Sequence, residues 1–116
     1  MTHKRTFLAE SADRLTWSRL RQMTTLVGDP PGELIQAPDG RVVFLYCHRY
    51  GPHPGVYARV SRDEGRTWGA ELLALRHLSN GGYSSSTGLE DGTIVSMLGV
   101  SERGKVQVVR WRLPKR

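Results

Sequence analysis

Ser61-Arg62-Asp63-Glu64-Gly65-Arg66-Thr67-Trp68 reads S-x-D-x-G-x-T-W and lies between the strand-like run Gly55–Val60 and a second apolar run at Glu71–Leu75. Each fixed position has a mechanical task. Gly65 can take a positive φ at the tight point of a turn. Ser61 and Asp63 are short acceptors able to hold the turn's own N–H groups. Thr67 starts the return strand, and Trp68 offers a large ring to pack under the hairpin. The expected local structure is a self-bracing β-hairpin tip.

A second, degraded copy stands earlier: Ser11-Ala12-Asp13-Arg14-Leu15-Thr16-Trp17 keeps S-x-D-x-x-T-W, with Leu15 where the glycine should be, and its serine lies 50 positions before Ser61. A different marker moves nearly in step. Asp39-Gly40 and Asp91-Gly92, each followed by an apolar β-branched run, are 52 positions apart. Asp39-Gly40 reads as a two-residue hairpin signal, and Glu90-Asp91-Gly92 as the turn before the later run. Two unrelated features sharing a spacing of about 50 residues predict a repeated four-stranded antiparallel unit.

The strand-like segments in order are 5–10 and 18–26, the second also compatible with helix; then 33–37, 41–47, 55–60 and 70–75; then 81–86, which opens the last unit, 93–98 and 105–113. The two prolines in 27–32 deny N–H groups to any ladder and mark a connection. The organisation predicted is the end of one unit over 1–28, a full unit over 29–78, and an incomplete last unit over 79–116.

Thirteen glycines and six prolines with 38% apolar residues suit a turn-rich all-β chain. The single cysteine, Cys47, excludes an internal disulfide and leaves the redox compartment open. No run approaches the roughly 18 apolar residues of a membrane span, and Met1–Glu10 lacks an apolar signal core, so no membrane role is expected and the compartment stays open. The net charge of +6 is spread along the whole length without an RNA-binding or helix-turn-helix pattern. It reads as solvated surface and a preference for an anionic ligand, with no nucleic acid. His48 and His53 share a Pro/Gly loop. With no third ligand at matching spacing they are read as loop or pocket residues, with no metal.

The paired hairpins resemble the Asp-box (BNR repeat) of the sialidase superfamily. In that family the box marks the fold without touching substrate, so Ser61, Asp63, Gly65, Thr67 and Trp68, with Ser11, Asp13 and Trp17, are expected to be structural. The stretch from Arg41 to Pro114, with G-V-Y-A-R-V-S-R-D-E-G-R-T-W, G-Y-S-S-S-T-G-L-E-D-G-T-I-V and V-V-R-W-R-L-P, is similar to the last two blades of an exo-α-sialidase-like six-bladed β-propeller. The resemblance implies an all-β partial propeller of about two blades. At 116 residues the chain is too short to close such a ring alone, so either missing blades or self-association is expected.

What the resemblance implies about chemistry follows residue by residue. Three arginines usually clamp the sialic acid carboxylate, because the guanidinium fork matches it bidentately. A tyrosine activated by a glutamate replaces a carboxylate nucleophile, which the anionic sugar would repel, and an aspartic acid is the general acid/base. Tyr83 matches the nucleophile's place, Arg49 is the candidate third clamp arginine, and Arg59 and His48 are further candidates for substrate contact. Two departures stand out: Gly99 occupies the place of a glutamate that orients a clamp arginine, and Tyr57 stands where related sequences often carry an arginine. The blades expected to hold the acid/base, the activating glutamate and two arginines are not in the sequence. The expectation is a portion of a glycoside hydrolase acting on sialosides, without cofactors, and silent in isolation. The alternatives are a non-catalytic glycan- or protein-binding module and an oligomerising structural repeat in which three chains complete one ring.

Overall fold

A computed structural model describes residues 5–24, 32–48, 53, 55–76, 84–99 and 105–115. Among these residues there is no helix, and the strands form three antiparallel sheets. The first sheet pairs β1 (Phe7–Leu8) with β2 (Arg21–Gln22). The second is a four-stranded meander of β3 (Gly32–Gln36), β4 (Val42–His48), β5 (Gly55–Ser61) and β6 (Leu72–Arg76). The third is a three-stranded meander of β7 (Ser84–Gly88), β8 (Thr93–Gly99) and β9 (Val106–Arg112).

The alternation of side chains along β4 explains how the sheets stack. Val43, Leu45 and Cys47 point to one side, where they join Val56, Ala58 and Leu98 in a buried cluster closed by Ile35, Val109, Trp111 and Leu113. Phe44 and Tyr46 point to the other side, where they meet Met23, Leu8, Tyr57 and Trp68. The middle sheet is therefore covered on both faces. That is why its second strand reads as a nearly continuous apolar run, with Phe44 to His48 all buried. Burying a side chain such as Val43 or Leu45 is worth about 1.5–3 kcal/mol each.

The Asp39-Gly40 turn differs from the two-residue loop expected, whereas Glu90-Asp91-Gly92 forms the three-residue turn its sequence suggests. The Ala37 N–H donates to the Arg41 carbonyl (2.8 Å) and the Gly40 N–H to the Ala37 carbonyl (3.0 Å), so the loop has three residues. Leu89, Thr93 and Gly92 repeat this at 2.7 and 3.0 Å. Gly40 and Gly92 have φ of 94° and 89°, the left-handed residue that closes a three-residue hairpin loop. The first loop position is Pro38 in one copy and Glu90 in the other, so the three-residue loop forms with or without a proline there. Asp39 and Asp91 each accept the N–H two residues on, from Arg41 and Thr93.

The β5–β6 ladder shifts register between Val56 and Tyr57, leaving Ala74 of β6 as an extra residue. Ala74 packs against the buried cluster that includes Val56.

Candidate functional site

The hairpin joining β5 to β6 is held by its own polar atoms. The Gly65 N–H donates to Ser61 Oγ (2.8 Å), and Ser61 Oγ–H to Asp63 Oδ1 (2.8 Å). Asp63 also accepts the Thr67 N–H (2.8 Å) and the Thr67 hydroxyl (2.6 Å). These bonds hold its carboxyl down at about 2, the Thr67 hydroxyl being the largest cause. Trp68 Nε1–H donates to the Gly65 carbonyl (3.1 Å), and its ring stands edge-on to Phe44.

The hairpin joining β1 to β2 carries the same network one residue shorter. The Arg14 N–H donates to Ser11 Oγ (2.7 Å), as Gly65 does to Ser61, and Asp13 accepts the Thr16 N–H (2.8 Å) and hydroxyl. Asp13 is held well below the usual carboxylate range, chiefly by the Thr16 N–H. Leu15 therefore does not stand in for the glycine. Arg14 takes over the glycine's bond to the serine, and its φ of 68° is the single left-handed position where the longer hairpin has two, Glu64 at 60° and Gly65 at 87°. The surroundings of the two rings are also unlike: Trp68 is half-buried, whereas Trp17 is 64% exposed. Phe44, the partner of Trp68, comes from the strand on the far side of β5. Among the described residues no strand lies on the corresponding side of β1.

The sheet end opposite these turns is where β4 stops and β5 and β7 begin. Here His48 pairs with Gly55, and its ring meets Tyr57 edge-on at 5.8 Å. Burial pushes the His48 imidazole below its ordinary value and favours the neutral ring. Tyr57 stacks on Tyr46 (5.7 Å), Tyr46 stacks on Phe44 (5.4 Å), and the Tyr57 hydroxyl donates to the His53 carbonyl (2.8 Å). The Tyr46 hydroxyl is buried without a hydrogen-bond partner.

Glu33 was not singled out from sequence. Its carboxylate accepts the Ser86 N–H (3.0 Å) and the Ser84 hydroxyl (3.3 Å), joining β3 to β7 across the junction between the second and third sheets. The one available signal was a lone acid in a short inner strand. Tyr83 directly precedes Ser84 and Arg49 directly follows His48 in sequence, and both lie outside the described residues.

Arg59 is placed at the hairpin end, four residues along β5 from Gly55, roughly 13 Å at the rise of an extended strand. Its guanidinium donates to the carbonyls of Gly69 (2.7 Å), Met23 (3.1 Å) and Trp68 (3.2 Å). Three of its N–H groups are thus engaged, two within its own hairpin and one, to Met23, tying the second sheet to the first, and the geometry does not bring it to His48. Among the described residues no group of three or more His, Cys, Asp or Glu side chains is placed to hold a metal ion.

The class defined at this point is an all-β chain of three antiparallel sheets with a duplicated Ser-Asp-Thr-Trp hairpin. No family model matches the chain, and neither does any curated protein or solved structure.

Proposed function

We propose that the chain is a portion of a sialidase-like β-propeller, about two blades of six, from a glycoside hydrolase of exo-α-sialidase type acting on sialosides or related glycans. The observation that carries this reading is the recurrence, in two successive sheets, of one hairpin whose Ser and Asp side chains hold the same turn amides. The recurring Asp-Gly loops add a second repeated device. On this reading each sheet is a blade and the hairpins brace it. Substrate then meets the opposite end, where His48 lies and where Arg49 and Tyr83 flank described strands in sequence. Glu33 supports β7, the strand that Tyr83 precedes, by accepting two hydrogen bonds from it. Arg49 would meet the sugar carboxylate and Tyr83 the anomeric carbon. The acid/base and the remaining clamp come from outside this sequence, so the isolated chain binds weakly and does not turn over.

Saturation-transfer NMR with an α-methyl sialoside tests this. Signal transfer to the sialoside, absent with methyl galactoside and lost in Arg49→Ala, is the expected result. Equal transfer to both sugars, or none to either, contradicts it. Hydrolysis of a fluorogenic sialoside that Tyr83→Phe slows would overturn the silence of the isolated chain.

A further inference from the structure

The outer face of the third sheet has an internal counterpart whose covering is visible. The two Asp-Gly loops superimpose the second and third sheets with Ala37 on Leu89 and Arg41 on Thr93, so Val43 and Leu45 of β4 correspond to Val95 and Met97 of β8. The ladder carries the correspondence to the next strand: Leu45 pairs with Ala58 and Cys47 with Val56, as Met97 pairs with Val108 and Gly99 with Val106. In the second sheet this face is sealed by the third, with Leu45 and Val56 at 0% exposure and Ala58 at 2%. In the third sheet the same positions are again apolar but open: Met97 is 51% exposed, and Val106 and Val108 are each 62% exposed. An apolar face of this kind on a sheet marks a contact surface.

The opposite end of the stack is its complement. The first sheet meets the second through Leu8 and Met23, against Phe44, Tyr46, Tyr57 and Trp68. Counting from the hairpins, Phe7 and Trp17 of the first sheet hold the places of Tyr57 and Trp68, and they are 50% and 64% exposed. One end thus repeats the face that the second sheet offers to the first, and the other repeats the face that it offers to the third.

We infer that the chain associates head to tail, the Met97–Val106–Val108 face of one copy receiving the Phe7 and Trp17 face of the next. The contact is heterologous, since the two surfaces differ, and it continues the sheet stacking already present within one chain. The inference rests on the internal repeat and not on the glycan reading, which the NMR titration tests separately.

Sedimentation velocity on the full 116-residue chain tests it with Phe7→Glu and Val108→Lys. The wild-type mass should rise with concentration, and each variant alone should stay a single chain. An equimolar mixture of the two variants retains one good pair of faces, so it should give two chains and no more. Val106→Lys gives the same reading if Val108→Lys fails to fold by circular dichroism. A wild-type chain that stays monomeric overturns the inference. Association that persists in either variant also overturns it, because it would mean self-pairing of one face or pairing along the outer edge of β9.

Discussion

Arg21, in the first sheet, donates through Nη2 to the carbonyl of Gly65 in the second hairpin, at 2.7 Å. Its Nη1 donates to the Arg66 carbonyl at 2.6 Å. Arg59 returns the tie by donating to the Met23 carbonyl. The two arginines therefore lock neighbouring sheets through backbone carbonyls, which need the donor fork and not merely a positive charge. Arg21→Lys should cost about 1–2 kcal/mol, after allowing for the partial exposure of the guanidinium. Hydrogen exchange should show faster opening of the first sheet than of β4. Unchanged exchange there would mean the tie contributes nothing.

Gly65 has φ of 87°, and a Cβ added there would lie 3.4 Å from Glu10 Oε1. Gly65→Ala should destabilise by about 1–2 kcal/mol through the left-handed backbone alone. Gly40→Ala, at a similar φ but in open space, should cost about the same. Urea midpoints measure both. A much larger loss at Gly65 than at Gly40 would place the cost in side-chain crowding instead.

Acid should lower the stability of the chain in two stages. The folded-state value of His48 is lowered by burial, so the unfolded chain binds its proton more readily and stability falls as pH drops below about 6.5. Asp63 is lowered to about 2 and Asp13 is lowered as well, so the stability they give is complete above about pH 4 and is lost as pH falls toward 2. Thermal melts across this range should show His48→Gln removing the upper stage only. Asp63→Asn should reduce the lower one.

Ser96 is fully buried. It accepts the Trp111 indole N–H (2.9 Å) and shares a hydrogen bond with the Ser86 hydroxyl (2.7 Å). Ser96→Ala leaves a partly buried donor unpaired and should cost about 1–3 kcal/mol. Leu45→Ala, at 0% exposure, should cost about 2–5 kcal/mol, whereas Leu72→Ala, at 54%, should cost little. Chemical denaturation ranks the three. A Leu72→Ala loss equal to that of Leu45→Ala would contradict the stacking described.

The local devices were legible because their hydrogen bonds stay within a few residues. Ser61, Asp63 and Thr67 close one turn, and Asp39 and Asp91 each bond two positions ahead. Alternation in Val106–Arg112 gave that strand for the same reason, its contacts being set by period two. The length of the Asp39-Gly40 loop was misread because a left-handed glycine at its end serves two-residue and three-residue hairpin loops alike. Arg21 on Gly65 and Glu33 on Ser86 were not legible. They join sheets across 44 and 53 residues, and nothing local marks which sheet faces which. Arg59 resembled a ligand arginine by its place before the hairpin, while its carbonyl partners come from chain folded around it.

The central claim is that one hairpin-braced sheet unit recurs and stacks on itself. NMR of the labelled chain tests it most directly, through amide protection and cross-strand contacts. The account predicts slow exchange for the Arg14 and Gly65 amides alike, Hα contacts or amide contacts linking Ser96 to Val109, and a Ser86 amide shifted by Glu33→Gln. Helical Cα shifts through Ile94 or Val108, or a protected Gly65 beside a freely exchanging Arg14, would contradict it.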